Sequence, residues 1–442
     1  MILIFTDELN PRIEYISKVI FSTILQQEIS FTTNPSVFLQ SDLPKLNYSG
    51  TRFDNEIYIQ PHPIIYRKDL SKLRIHPVEY KNEKYFFESS PDSVFPFDPF
   101  SASFYLVTRY EEYFLSTRDQ FNRYQANESL LAEYGLLKKP VVNIWAGMLA
   151  EKLKTHFPEL NLPKPRFVFL PTIDIDNAWA YSHKGLWRSF GACTKDLLHQ
   201  NISSIKNRIL VWTGMKPDPY DTYAFIDEIY KDSVVKPVFF FLLGDYAPYD
   251  KNVSWKNKYL RNLIRRTAEK YPSGIHPSFA AGETNGGKKL QQEKKRLEII
   301  CGLKMTKSRQ HFLRLHFPEN YQNLLEAGIQ EDYTMGYPSH TGFRAGICTP
   351  YHFYDLKKET ETSLKIIPFQ VMDVTLRNYM NLNPEEALNE IETLMREVKN
   401  VGGTFSCIWH NESLIGQDPW NGYREVFIQM NHKGFEWANG NA

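Results

Sequence analysis

The sequence is poor in cysteine and has no excess of charge of either sign. Its four cysteines, Cys193, Cys301, Cys348 and Cys407, lie far apart and form no C-x-x-C pair. We therefore expect reduced core thiols, and neither a disulfide framework nor a zinc–cysteine cluster. Lys and Arg total 52 against 51 for Asp and Glu. This balance gives no electrostatic reason to expect nucleic acid or an anionic membrane as a partner.

Long apolar runs, low-complexity tracts and fixed-period repeats are also missing. No segment reaches the roughly 18 consecutive apolar residues of a spanning helix. The first ten residues, MILIFTDELN, have no basic start and soon turn acidic, which is not the pattern of a signal peptide. From these absences we expect a cytoplasmic protein without a membrane segment. The composition, 42% hydrophobic and 23% charged, is that of a globular chain.

The length of the chain, 442 residues, favours two domains, because a single hydrophobic core stops growing below this size. Residues 1–160 are predicted to form a smaller α/β domain of unknown role. Its predicted elements are strands at 1–5 and 56–60 and helices at 11–27 and 104–114. Pro163 and Pro165 place the boundary at 161–165, so that the second domain covers 166–442.

The first domain has no spacing of acids, histidines or nucleophiles that predicts catalysis. Its short charged stretch, with Arg109, Glu111 and Glu112, is predicted to be a solvated or ion-paired helix face. We therefore place the candidate site in the second domain.

From residue 166 onward, predicted strands and helices alternate. The predicted strands cover 166–173, 235–243, 274–279, 308–314, 332–337, 368–373 and 404–409. The clearest helix begins after Asn383, an N-cap residue followed by proline and two acids, and ends at Gly402 and Gly403. Seven strands with intervening helices predict a parallel α/β sheet or barrel. In either architecture, functional residues gather at the carboxyl ends of the strands.

Two aspartates end the first strand of this domain, in F-L-P-T-I-D-I-D-N. Side chains alternate along a strand, so Asp174 and Asp176 point to one face and Ile175 to the other. Two carboxylates at a buried strand end are costly to desolvate unless they bind a cation or transfer protons. The alternative without a function is an Asx turn that caps the next segment, assisted by Asn177.

Histidines and arginines accompany other strands of the same predicted sheet. The candidates are His276 on the third strand, Arg309 and His311 on the fourth, Arg344 before the sixth, Asp373 at the end of the sixth and His410 at the end of the seventh. Carboxylates together with imidazoles suit a zinc-like or iron-like divalent metal that keeps an open position for water. Such a site is equipped to hydrolyse an amide or an ester.

Four of these motifs, T-I-D-I-D, G-I-H-P-S, the arginine-bearing fourth strand and I-W-H-N, resemble the motif series of the polysaccharide deacetylase family (carbohydrate esterase family four). The resemblance covers residues 166–430. It implies a distorted seven-stranded (β/α) barrel that uses a metal to remove N- or O-acetyl groups from sugars. The stretch F-D-P-F-S-A-S-F-Y-L-V-T-R-Y-E-E-Y resembles the signature of a bacterial subgroup with an extra amino-terminal domain.

The resemblance also implies a role for each motif residue. Asp174 matches the catalytic base, His410 the general acid, and Asp176 and His276 two ligands of the metal, with zinc the preferred ion. Because Asp174 and Asp176 face the same way, their roles could be exchanged. Arg309 or Arg344 is predicted to orient the base by pairing with it.

The chain departs from the family pattern at three places. Ile175 separates two acids that are adjacent in the family, Ala280 stands where the family has its second motif histidine, and Asn411 replaces an aspartate. His311, one strand away, is predicted to substitute for the missing histidine as a metal ligand.

The predicted partner is an acetylated saccharide. Trp179, Tyr351 and Trp409 are predicted to stack on a sugar, with Asp373 as a further substrate contact; for the aromatic side chains, core packing is the alternative. Two other functions stay open. One is a D-x-D metal-dependent glycosyltransferase, against which the histidines argue. The other is a carbohydrate-binding pseudo-enzyme of the same fold, which the loss of the second motif histidine favours.

Overall fold

The structure of the protein, a computed structural model, describes residues 1–54, 56–114, 116–163 and 165–440, apart from the side chains of residues 186, 187 and 195. Of the predicted domain boundary at 161–165, residue 164 lies outside the described residues. The strands are β1 Ile2–Phe5, β2 Ile29–Thr32, β3 Lys45–Tyr48, β4 Tyr58–Ile59, β5 Pro77–Tyr80, β6 Glu83–Phe86, β7 Val168–Ile175, β8 Val238–Leu242, β9 Ser273–His276, β10 Lys307–Ser308, β11 Glu331–Asp332, β12 Tyr351–Asp355, β13 Thr360–Ile366, β14 Val371–Met372 and β15 Thr404–His410.

In the described part of the chain, thirteen α-helices lie between or beside these strands. They are α1 Pro11–Ser17, α2 Pro35–Gln40, α3 Pro99–Val107, α4 Leu130–Glu133, α5 Val141–His156, α6 Leu186–Leu198, α7 Ile202–Trp212, α8 Tyr223–Tyr230, α9 Lys258–Lys270, α10 Gly287–Cys301, α11 Glu319–Glu326, α12 Pro384–Val401 and α13 Tyr423–Ala438. None of the helices among the described residues is both long enough and apolar enough to cross a membrane.

The amino-terminal part contains a four-stranded parallel sheet with the order β2-β1-β3-β4. The predicted strands at 1–5 and 56–60 coincide with β1 and β4. The predicted helix at 11–27 is present as α1, which continues into a π-helical segment, Lys18–Ile24. The helix predicted at 104–114 begins earlier, as α3, because the Asp98 side chain caps residues 100 and 101. It ends before Arg109, whose φ of 53° is left-handed.

The larger sheet has nine strands, in the order β12-β13-β11-β10-β9-β8-β7-β15-β14. Each of the seven predicted strands overlaps one of its parallel strands, so the predicted α/β class is confirmed. The hairpin of β12 and β13, paired antiparallel at one edge, was not predicted. The N-cap at Asn383 is present as a capping box with Glu386, and the cysteines among the described residues are free.

The predicted barrel would require the two ends of the parallel set, β11 and β14, to meet. No ladder joins these two strands within the described residues. Hydrogen bonds between the flanking loops span the gap: the Phe369 N–H before β14 donates to the Met335 carbonyl after β11 at 3.0 Å, and the Gly342 N–H donates to the Gln370 carbonyl at 2.8 Å. The seven-stranded barrel therefore stays a prediction, and the observed element is a mixed sheet.

Two predicted strands are much shorter in the structure. The strand predicted at 308–314 is limited to β10, because Phe312 and Leu313 adopt left-handed φ angles of 59° and 55° that no strand contains. The strand predicted at 332–337 is limited to β11. The turn after β10 carries His311, one of the residues predicted to bind a metal.

One contiguous core of buried apolar side chains extends through both parts of the chain, from Ile2 to Met430. A buried ion cluster lies between the parts. Arg344 donates to both carboxylate oxygens of Glu112, at 2.9 and 2.5 Å, and Arg109 donates to the same carboxylate at 2.7 Å. All three side chains are at most 2% exposed. The helix face predicted to be solvated or ion-paired is thus ion-paired and buried.

Replacing Glu112 with glutamine should lower the free energy of unfolding by about 3–5 kcal/mol, because it leaves the buried Arg344 without a counter-charge and Arg109 with Glu111 alone. Urea unfolding followed by circular dichroism measures the loss. The control is Asp92→Asn, whose partner Arg52 and own side chain are about 60% exposed and which should cost less than about 1 kcal/mol. Equal losses for the two variants would contradict a stabilising role for the cluster.

Candidate active site

The candidate site lies at the carboxyl ends of neighbouring parallel strands. β7 supplies Asp174 and is followed by Asp176, β9 ends in His276, and β15 ends in His410. His311 comes from the turn after β10, where its N–H donates to the Pro277 carbonyl at 3.1 Å. Parallel pairing explains the convergence, since the carboxyl ends of parallel strands meet at one edge of a sheet. The structure thus brings together the five acids and histidines predicted from the strand ends.

Asp176 is the centre of this group. Its two carboxylate oxygens lie 3.1 Å from Nε2 of His276 and 3.2 Å from Nε2 of His311. The three side chains offer one ligand atom each, all within 4.8 Å of one another, a spacing that could hold a metal ion. Two imidazoles with one carboxylate is a ligand set that catalytic metal sites use, with a fourth position left for water or substrate.

Hydrogen bonding around His276 tests whether a cation fits. Its Nδ1 lies 2.6 Å from the Arg309 carbonyl oxygen, which can only accept, so Nδ1 carries the proton. In the neutral ring Nε2 is then a bare lone pair that faces a carboxylate oxygen of Asp176. That oxygen is buried and has no hydrogen-bond partner in the described structure. Two facing acceptors need a positive charge between them, which a proton or a metal ion can supply, so the residues fit a metal.

His311 is oriented by a residue that the sequence analysis missed, Asp250. The His311 Nδ1 lies 2.9 Å from the carboxylate of Asp250, which also accepts from the Phe279 N–H at 2.9 Å. A carboxylate that holds the far nitrogen of an imidazole is a frequent support of metal ligands, because it fixes the tautomer and the ring orientation. Asp250 follows β8 within an irregular segment, and no local motif marks it.

The charges of the group favour a cation between its members. Burial acts to raise the pKa of Asp176, but His311 and His276 outweigh it and hold the pKa well below the usual range. Burial acts to lower the pKa of His311, yet Asp176 and Asp250 raise it to about 9. Two carboxylates on either side of one imidazole therefore attract positive charge, which a proton or a metal can supply.

Asp174 lies behind the metal-binding candidates and is held by Arg309. The guanidinium group donates from NH1 to the Asp174 carboxylate at 3.1 Å and to the Thr172 hydroxyl, and from Nε to the Tyr333 carbonyl at 3.0 Å. Asp174 is 1% exposed and Arg309 fully buried. Of the two arginines predicted to pair with Asp174, Arg309 makes the contact.

His410 is held by Asp373. One Asp373 oxygen lies 2.8 Å from Nδ1 of His410, and the other accepts from the backbone N–H of His410 at 2.8 Å. Burial acts to lower the pKa of His410, but Asp373 outweighs it and raises the pKa well above the ordinary value. Nε2 of His410 points toward Asp176, at 3.7 Å. Asp373, predicted to contact the substrate, instead orients the histidine.

Arg344 is not part of the site. The sequence analysis placed it among the catalytic residues, but its guanidinium group is engaged by Glu112 and by the Gly336 carbonyl. Glu112, from the amino-terminal part, thus makes the ion pair with Arg344 that was predicted for Asp174.

The three aromatic side chains predicted to stack on a sugar are all buried, so none of them is positioned to do so. Trp409 is 1% exposed and packs on Tyr423 and Phe427, since along β15 it points away from the face that His410 takes. Trp179 is 7% exposed, and Tyr351, on the edge strand β12, is 2% exposed. None of them offers a free ring face to a ligand.

Other aromatic side chains border the site, and we call them the aromatic wall: Phe121, Tyr249, Phe279 and Phe312. Phe312 lines the pocket that contains the acids and histidines, and its ring centre lies 4.9 to 5.4 Å from those of the other three. Tyr249 is 45% exposed. These rings come from four separate segments of the chain, so no local sequence pattern predicts that they lie together.

Arg123, from the amino-terminal part, also lines this pocket. Its guanidinium group donates to the Phe312 carbonyl at 3.1 Å and to the Tyr379 hydroxyl at 2.9 Å, and it pairs with Asp119 at 2.7 Å. The amino-terminal part therefore reaches the turn that carries His311.

Residues 2–158 match a family model described as a family of unknown function, DUF7033. No curated protein matches the chain.

The solved structures similar to this chain include polysaccharide deacetylases. One, from Mycobacterium smegmatis and described as a polysaccharide deacetylase, shares 13% identity with a TM-score of 0.40, over 62% of this chain and 86% of its own. The polysaccharide deacetylase Bc1974 from Bacillus cereus shares 11% identity with a TM-score of 0.31, over 62% and 91%. BA3943, a CE4 family pseudoenzyme from Bacillus anthracis, shares 10% identity with a TM-score of 0.32, over 62% of each chain.

Removing the imidazole of His276 or His311 should abolish binding of a divalent metal, because each supplies one of three ligands. Asp250→Asn should weaken binding by about 10–100-fold, as expected for a residue that only orients a ligand. Elemental analysis after dialysis against a metal buffer measures the metal content of each variant. The control is His352→Ala, a half-exposed histidine of β12, which should keep full occupancy. A His276→Ala variant with full occupancy would remove His276 from the ligand set.

Proposed function

We propose that the protein is a metal-dependent hydrolase that removes an N- or O-acetyl group from a saccharide. The observation that carries the proposal is the arrangement around Asp176. The three metal-binding candidates are flanked by a carboxylate held by an arginine, Asp174, and by an imidazole held by a carboxylate, His410. Hydrolysis of an amide or ester needs one group that accepts a proton and another that donates one.

Asp176, His276 and His311 would hold the metal, and their ligand types favour zinc. When bound, the metal supplies Lewis-acid polarisation of the acetyl carbonyl and makes water a stronger nucleophile. The sequence analysis left open which aspartate is the base. Contact with both imidazoles argues for Asp176 as the ligand, which leaves Asp174 for proton transfer.

Asp174 is proposed to accept the proton of the attacking water. Its hydrogen bond from Arg309 favours the ionised carboxylate, because a nearby guanidinium group stabilises negative charge. Arg309 also fixes the carboxylate in place, since its Nε donates to the Tyr333 carbonyl and its Nη1 also donates to the Thr172 hydroxyl. A base held in this way loses little orientation freedom during the reaction.

His410 is proposed to donate the proton to the leaving group. Asp373 accepts from its Nδ1 and stabilises the imidazolium form, so Nε2 carries a proton on the side of the pocket. Water adds to the acetyl carbon, the bond from that carbon to the sugar nitrogen or oxygen breaks, and the departing atom takes the proton from Nε2. The products are acetate and the free amine or hydroxyl of the saccharide.

The aromatic wall is proposed to bind the sugar ring next to the acetylated residue. Apolar ring faces pack well on the C–H faces of sugars, and Tyr249 leaves part of its ring exposed beside the pocket. This role replaces the one that was predicted for Trp179, Tyr351 and Trp409.

The alternatives are less well supported by the residues. A D-x-D glycosyltransferase would use oxygen ligands for manganese or magnesium, whereas two imidazoles face Asp176 here. The pseudo-enzyme was favoured by Ala280 in the place of the second motif histidine. His311, whose Nε2 lies 3.2 Å from Asp176, offers the metal site an imidazole in place of the missing one. The loss at position 280 therefore gives little support to the pseudo-enzyme.

The variants Asp174→Asn and His410→Ala should each slow acetate release by about 10²–10⁴-fold, the usual cost of losing a general base or acid. Both should retain the metal, unlike His276→Ala. Acetate released from acetylated chito- and xylo-oligosaccharides is the measured product, with His352→Ala as the control. If the wild type, loaded with zinc, releases no acetate from any acetylated saccharide, the pseudo-enzyme becomes the better account.

Replacing Tyr249 with alanine should raise KM for an acetylated oligosaccharide about three- to tenfold and leave kcat nearly unchanged, as expected for a lost stacking contact. The control is Tyr246→Ala, an exposed tyrosine of the same segment outside the aromatic wall. A monosaccharide substrate should be insensitive to both changes. An equal effect of the two variants on KM would exclude the wall as a sugar subsite.

A further inference from the structure

The helices α6 and α7, together with their flanks, stand out on the surface of the protein. We call residues 184–216 the basic hairpin. Among the described residues, nineteen large apolar side chains are exposed, and seven of them fall in this segment. They are Phe190, Leu197, Leu198, Ile202, Ile209, Trp212 and Met215, with exposed fractions from 48% to 78%. So dense a group of exposed apolar side chains marks an interaction surface.

The exposed apolar side chains belong to folded helices. α6 packs against α7, and between them Asp196 accepts from Arg208 and from the Ser204 hydroxyl at 2.9 Å each. On α7, Ile202 and Ile209 are two turns apart and face outward with Lys206. Each helix thus has a polar contact inside the hairpin and an apolar face outside it.

The charge of the basic hairpin identifies the partner. Its charged residues are Lys184, Arg188, Lys195, Asp196, Lys206, Arg208 and Lys216, six cations against one acid. The segment thus carries a formal net charge of +5, whereas the whole chain carries +1. Arg208 is buried and paired with Asp196, so exposed lysines such as Lys206 and Lys216 carry the outward charge of the hairpin. Outward apolar side chains with lysines beside them are typical of helices that lie in a bilayer interface, the charged heads toward anionic lipids.

We propose that the basic hairpin docks the protein on an anionic membrane surface. The helices have 13 and 11 residues, about 20 and 16 Å at 1.5 Å per residue. Both are too short to cross a bilayer, so the hairpin lies on the membrane with Phe190, Leu198 and Ile202 inserted. The proposal departs from the expectation drawn from the composition, because the even charge balance of the whole chain conceals this local excess.

The position of the hairpin relates this surface to the candidate site. The chain enters α6 shortly after Asp176, at the carboxyl end of β7, and returns to the sheet through β8. Trp212 Nε1 donates to the Tyr181 carbonyl at 3.3 Å, and Asn257 donates to the His183 carbonyl at 2.9 Å. The first bond ties the end of α7 to the segment after Asp176, and the second ties that segment to the start of α9. Docking would therefore hold the site on the side of the protein that faces the membrane.

Flotation of the full-length protein with lipid vesicles tests the proposal. With vesicles of phosphatidylcholine that contain about one-third phosphatidylglycerol, binding should be at least about tenfold stronger than with phosphatidylcholine alone. The variant Phe190→Ser/Leu198→Ser/Ile202→Ser should lose at least about tenfold in binding. The variant Lys206→Glu/Lys216→Glu should lose the preference for anionic lipid. Circular dichroism checks that each variant is folded.

The control is Val234→Ser/Leu303→Ser, which removes two apolar side chains, 83% and 60% exposed, outside the hairpin. It should bind vesicles as the wild type does. The proposal is overturned if the wild type stays unbound with both vesicles, or if the control loses as much binding as the hairpin variant. A third result would also overturn it: the wild type binds no vesicles and sediments as a dimer, and the triple substitution makes the protein monomeric. In that case a second copy of the chain covers this face.

Discussion

The parallel ladder between β7 and β15 determines where the candidate site lies. Seven consecutive residue pairs are in register, and the last of them places His410 beside Asp174. A shift by one residue would turn every side chain of one strand to the opposite face. Trp409 would then face the pocket and His410 the helices, so Asp174 and His410 would no longer share a side.

Each ionisable group of the site is compensated by a residue from another element. Asp174 from β7 is paired with Arg309 after β10, His311 with Asp250 after β8, and the histidine that ends β15 with an aspartate after β14. Buried charges are tolerated only when such partners are present. Compensation across elements also means that the site forms only when the sheet has assembled, since no single segment holds a balanced set.

The sequence predicts the elements of this fold better than the partners of its side chains. Apolar strand runs and the Asn383 cap are local signals, and both appear where expected. Whether an arginine pairs with one acid or another depends on contacts across hundreds of residues. Arg344 was therefore assigned to the site, and Asp250 was missed. The aromatic side chains predicted to stack on a sugar were wrong for another reason, their burial. Alternation along β15 predicts that Trp409 and His410 face opposite ways, but it does not predict which of the two faces is buried under the helices.

The contacts of Glu112 with Arg344 and of Arg123 with Phe312 have an evolutionary consequence. Positions 112 and 344 lie 232 residues apart, yet a change of charge at one leaves the other uncompensated in the core. Recombination that joined the amino-terminal part of one homologue to the sheet of another would have to preserve both pairs at once. We therefore expect the two parts to be inherited together, with positions 112 and 344 varying as a pair among homologues.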